Sequence, residues 1–191
     1  MASSSDVSLI QSAKLPLISK VLSKSQLARK SGVRRMVKFF KSNGPMVGIA
    51  SRQDVEQLEE LHSDVVLISI NNPEDQLPKI KAPFDDILTL RFDDLDGSEY
   101  LMADEVLMTE EQAEQIAHFV NKHKFAEGIL CHCQAGISRS SGCAAAIIKS
   151  SGASDIPVFN NYQYMPNRHV YRLVLNALSR YNTKGDRNNK S

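Results

Sequence analysis

The chain has 191 residues, 42% of them apolar, which suits one α/β domain with a real core and short extensions. No apolar run approaches the ~18 residues that a membrane-spanning helix needs, so a soluble or at most peripherally bound protein is expected. The net charge of +1 hides an asymmetry: residues 1–45 carry nine Lys/Arg against Asp6 alone, a net +8, and residues 46–191 carry fourteen Lys/Arg against twenty-one Asp/Glu, a net −7.

Residues 1–13 are Ser-rich and read as disordered. Further on, Val33, Met36, Val37 and Phe40 recur at i, i+3, i+4 and i+7 among Arg34, Arg35, Lys38 and Lys41, and Asn43-Gly44-Pro45 ends the pattern. This predicts a short basic amphipathic helix within an N-terminal extension covering 1–45. A strand is expected at 46–50, then a helix over 52–61 that Ser51 can cap. The β-branched run 65–70 reads as a buried strand, closed by Asn71-Asn72-Pro73. A polar connection over 73–86 leads to a strand at 87–92 and an acidic loop at 93–105. Thr109 and Gln112 form a capping box for a helix carrying Ile116, Phe119 and Val120. A strand at 128–131, a helix over 142–148, a loop over 151–165 and a last helix over 167–181 follow, with 183–191 as a mobile tail. Alternating strands and helices predict an α/β fold, a mainly parallel central sheet flanked by helices, in a domain spanning 46–182. Ligands of such sheets sit beyond the carboxyl ends of the strands.

The segment at such an end, residues 131–142, reads Cys-His-Cys-Gln-Ala-Gly-Ile-Ser-Arg-Ser-Ser-Gly. Cys133 follows a strand, and Arg139, six positions on, opens a helix. Gly136 permits a turn that other residues resist. The amides of Gln134, Ala135, Gly136, Ile137, Ser138 and Arg139 can then converge in one concave nest, with the positive end of the helix behind them. Arg139 adds a planar fork for two oxygens of a phosphate. Cys133 stands at the lip of this dianion site, where the same field favours a thiolate. Cys131, Cys133 and Cys143 are odd in number, which argues against a disulfide framework and for a reducing compartment. Neither Cys131 and Cys143 nor His62, His118, His123 and His169 have metal-ligand spacing.

On the string from His132 to Ser140, residues 46–182 resemble the protein tyrosine phosphatase superfamily, in its small dual-specificity-like branch. Ala135-Gly136-Ile137-Ser138-Arg139-Ser140, with Pro166-Asn167-Arg168, is similar within it to the predicted tyrosine phosphatases of bacteria and phages. The chain has no Trp and departs in this from the tyrosine-specific enzymes that carry their acid beside a tryptophan. The resemblance implies that Cys133 is a nucleophile forming a phosphocysteine and that Arg139 holds the phosphate. It also implies a general acid after the strand 87–92, which selects Asp94, with Asp93 and Asp96 as runners-up. His132 becomes a supporting residue, and Ser140 the hydroxyl that helps the sulfur leave. The implied chemistry is metal-free and cofactor-free and acts on phosphotyrosine of a protein substrate, with phosphoserine and phosphothreonine as further substrates of the same branch.

Competing readings are a sulfurtransferase of the rhodanese type, a phosphoinositide or RNA 5′-phosphatase, and a non-catalytic phosphate-binding module. The first lacks a place for Ser138-Arg139-Ser140, the second is disfavoured by the uncharged Gln134, Ala135 and Ile137, and the third by the retention of Cys133, Arg139 and an acid. The basic arm is open between an organelle presequence, a helix on an anionic surface, and one docked on its own acidic domain. A cytoplasmic monomer is the default expectation.

Overall fold

A computed structural model describes residues 37–61, 64–97 and 104–188. In chain order the elements are β1 (Lys38–Phe40), β2 (Met46–Ser51), α1 (Arg52–Gln57), β3 (Val65–Asn71), β4 (Ile87–Arg91), α2 (Glu110–Lys122), β5 (Gly128–Cys133), α3 (Arg139–Ser150), α4 (Ile156–Phe159) and α5 (Arg168–Asn188). The sheet order is β1-β2-β5-β3-β4. β2, β5, β3 and β4 are parallel, and β1 runs antiparallel to β2.

β5 lies at the centre and β3 beside it, and both are buried along their whole length. Strands covered on both faces need no apolar–polar alternation, which is why Val65–Asn71 reads as an almost continuous apolar run. One face packs under α2, α3 and α5, with Ile68, Ile70, Phe92, Ile116, Ile129, Ile148 and Leu178 among the buried side chains. The other face is thinner: Val55, Leu58, Leu67, Ala82 and Leu130, with Phe39, Ile80 and Phe84 partly buried against them. The small residues Gly142 to Ala146 let α3 sit close to the sheet and to α5.

Several expectations change, and the helix expected over 52–61 already ends at Gln57. The helix over 33–41 does not form where it can be seen: Lys38–Phe40 is a strand, and the rest of that stretch before Val37 lies outside the described residues. Pairing with Val47–Ile49 satisfies backbone groups, and Phe40 is buried in the core, which outweighs a local helical periodicity of one or two turns. The folded body therefore begins by Lys38 rather than at residue 46. The chain beyond 182 continues α5 to Asn188 instead of leaving as a tail, and no proline interrupts it there. Finally, α4 forms inside the expected loop, helped by Pro157 in its first turn.

Candidate active site

At the carboxyl end of β5 the chain passes from Cys133 through residues 134–138 into α3. The loop is wedged from two sides. Gly136 has φ 68°, and a Cβ there would lie 2.6 Å from the Ser51 amide nitrogen and 2.7 Å from the Ala50 carbonyl carbon. Only glycine meets both demands. The Arg52 amide donates to the Gln134 carbonyl (3.3 Å), and Ser51 caps α1 with Asp54. On the other side the Met165 amide donates to Ile137 O and the Asn167 amide to Ser138 O, both at 3.1 Å. From within α3, the Ser141 hydroxyl bonds the Ile137 carbonyl and that of Ser138 (3.0 Å).

These carbonyl contacts turn the loop's oxygens outward. Among the described residues, the amides of Gly136, Ile137, Ser138 and Arg139 donate to no backbone carbonyl, and Ser138 does not cap α3 with its side chain. The helix N-terminus is thus left with its donors and its partial positive charge on the concave side. Cys133 is 1% exposed, and its Sγ lies 3.2 Å from Ser140 Oγ. Cys131 and Cys143 pack below it as free thiols 3.9 Å apart. The Cys143 partnership and burial push the Cys131 thiol well up from its ordinary value, so it is a neutral packing group.

Arg139 is 3% exposed. Its Nη1 donates to the Phe92 carbonyl at 2.6 Å, which fixes the guanidinium against the end of the β4 segment. Among the described residues, its buried Nε has no hydrogen-bond partner. The Asp94 Oδ2 oxygen approaches that nitrogen to 3.9 Å. Asp94 Oδ1 accepts from Ser138 Oγ (2.7 Å) and from Asn167 Nδ2 (3.0 Å). Asn167 also donates to Leu95 O (3.0 Å), and its Oδ1 accepts from the Val170 amide at the start of α5 (3.0 Å). One side chain thereby ties the acidic loop, the flank of the 134–138 loop and a helix end together. His169 adds a second tie: Nε2 contacts Met108 O at 3.0 Å, and its ring lies against Gly97.

Of the three acids considered, the structure brings Asp94 to the loop. Asp93 is turned to Val106, bonding it through backbone (2.7 Å) and carboxylate (2.9 Å), and Asp96 is exposed. His132 lies beneath, fully buried, with Nε2 2.7 Å from Ser69 Oγ. Asn71 Nδ2 donates to that same hydroxyl (3.0 Å), so the Ser69 proton is directed to Nε2. Burial pushes His132 down to about 4, against a raising contribution from the Cys133 backbone, and Arg52 and Arg139 push it the same way as burial. The ring is therefore neutral, with its proton on Nδ1.

The contact of Ser69 with His132, that of Asn71 with Ser69 and the wiring of Asn167 are absent from the sequence reading. Two polar residues interrupting a buried β-branched run were the available signal for the first pair. Gln134 and Ala135 are exposed, while Ile137 and Ser138 are half-buried. His118, His123 and His169 are dispersed over α2, its C-terminus and α5, and His62 lies outside the described residues. A cleft of about 610 Å3 between β4, α2 and α5 is separate from this chemistry.

No family model and no curated protein matches the chain. Several solved structures are similar to it. A mouse putative dual specificity phosphatase is 16% identical, with 83% of this chain and 96% of that one covered and a TM-score of 0.48. The human tyrosine phosphatase-like serine/threonine/tyrosine-interacting protein is 16% identical, covering 71% and 92%, with a TM-score of 0.47. Human DUSP28 is 17% identical, covering 78% and 99%, with a TM-score of 0.45.

Proposed function

We propose that this chain is a cysteine-dependent phosphatase that hydrolyses phosphomonoesters, with phosphotyrosine in proteins as its substrate. One observation supports the reading above the others. A buried cysteine, a ring of backbone donors and a buried arginine share one loop, and a carboxyl oxygen stands 3.9 Å from that arginine. In this reading the phosphate dianion sits on the amides of residues 134–139 and on the Nε edge of Arg139, whose other side Phe92 holds. Such fixed donors stabilise the trigonal-bipyramidal charge without reorganising.

Cys133 thiolate attacks phosphorus, the P–O ester bond breaks, and the departing oxygen takes a proton from Asp94. Oδ1 of Asp94 already accepts two hydrogen bonds, so Oδ2, the oxygen facing Arg139, is the one that carries the proton. The carboxylate left behind then deprotonates water, which attacks the phosphocysteine and breaks the S–P bond. Ser140 Oγ, 3.2 Å from sulfur, stabilises the thiolate as it leaves.

The test is turnover of para-nitrophenyl phosphate in EDTA with inhibition by vanadate. Cys133→Ser is expected to abolish turnover while still binding vanadate, and Arg139→Ala to lose both. Phosphate release that persists in Cys133→Ser, or that needs an added divalent metal, overturns the reading.

A further inference from the structure

The segment from Asn160 to Asn167 runs alongside the phosphate loop. Gln163 and Tyr164 line a small crevice with Gly136, Met165 bonds Ile137, and Asn167 bonds Ser138. Its inner half is fixed. Tyr164 is 9% exposed and packs edge-on against Phe40, with ring centroids 6.0 Å apart. The Tyr164 amide donates to Asn161 O (2.9 Å), and the Gln163 amide to Asn161 Oδ1 (3.1 Å). Its outer half is held up to solvent: Tyr162 is 94% exposed and Met165 75%. No residue from 160 to 167 carries a charge, and none does from 134 to 138.

A backbone that these hydrogen bonds hold, and that buries Tyr164 and Asn167 yet leaves a tyrosine and a methionine in water, gains nothing for folding from those two exposed side chains. Aromatic and methionine side chains are also those enriched where proteins meet peptides. We propose that Tyr162 and Met165 form the peptide-recognition wall of the site and select phosphotyrosyl segments with bulky apolar residues beside the phosphotyrosine. The proposal rests on the phosphatase reading above and adds the residues that choose among its substrates. The uncharged wall offers nothing to the extra phosphates of a polyanionic substrate.

The measurement is kcat/KM for two phosphotyrosyl peptides that differ only in the residues flanking the phosphotyrosine, leucine in one and glycine in the other. The wild-type protein is expected to prefer the leucine peptide by about tenfold, chiefly through KM, as burial of one or two apolar side chains provides. Tyr162→Ala and Met165→Ala each reduce that ratio several-fold, and the double variant brings it near unity. Tyr162→Phe and Met165→Leu keep it. Both positions are exposed, and the thermal midpoint of each variant checks that the fold is intact. A wild-type ratio near unity, or an unchanged ratio in the alanine variants, overturns the proposal while leaving the cysteine chemistry standing. Absence of any wild-type turnover overturns both.

Discussion

Asp94, the acid of the proposed mechanism, is positioned by its neighbours. Ser138 and Asn167 both donate to Oδ1, so the side chain has one orientation and presents Oδ2. Asp94→Asn is expected to lower turnover by about 100-fold or more for substrates with poor leaving groups, the usual worth of general acid catalysis. Asn167→Ala, which leaves the acid in place but unheld, should cost about tenfold with the same leaving-group dependence, since misplacement by about an ångström is costly. Steady-state rates on alkyl and nitrophenyl phosphates check this, and an equal loss on both substrates would refute the positioning role of Asn167. Cys133 and Arg139 were legible in the sequence because loop and helix fix their relation within seven residues. The contacts of Asp94 were not, because Asn167 lies 73 positions away and only packing brings it there. The same holds for Ser69, 63 positions from His132 but its register partner across β3 and β5.

Between elements, α3 comes close to the chain entering α5. A Cβ on Gly142 would stand 2.6 Å from Asn167 O and 3.2 Å from Asn167 N, backbone atoms that cannot swing away. Two effects oppose each other in Gly142→Ala. Helix propensity favours alanine by about 1 kcal/mol, while overpacking costs about 1–3 kcal/mol. The clash is against backbone, so a net loss of about 1–2 kcal/mol is expected, accompanied by lower turnover because Asn167 is displaced. Urea denaturation measures the first and the phosphatase assay the second; a more stable variant would show that the contact yields. The four parallel strands, the capping box at Thr109 and the last helix were readable because local patterning and tertiary packing agree there. Lys38–Phe40 was misread because its spacing suits a helix and only the neighbouring Val47–Ile49 makes it a strand. The apolar run begins only at Gly142, and it was the Cys133-to-Arg139 motif that placed the helix start at Arg139, where α3 begins.

Across the whole molecule, His132 couples the site to stability. Its folded value of about 4 lies below the ordinary 6.5, so the unfolded chain takes up a proton more readily than the folded one. The contribution is fully present above about pH 6.5 and is lost as pH falls toward 4, with a ceiling on the order of 3 kcal/mol. Asp86, held down to about 2 by Lys122 and His123, acts in a separate window below pH 3.8. Unfolding free energies measured from pH 7.5 to 4.5 should therefore decline, and the decline should flatten in His132→Asn. An equal slope in that variant would place the acid sensitivity elsewhere.

The antiparallel pairing of Lys38–Phe40 with Val47–Ile49 also bears on how the basic arm can be separated from the rest of the chain. Among the described residues, β2 has no other neighbour on that side. A deletion made where the charge changes sign, at residue 46, would strip Phe40 from the interior and leave the hydrogen-bonding groups of a buried apolar strand bare. Unpaired edges of that kind recruit other chains. Loss of solubility after such a cut would report a sheet without its border, not a role for the cations before it. A cut that keeps this border strand has to fall ahead of Val37.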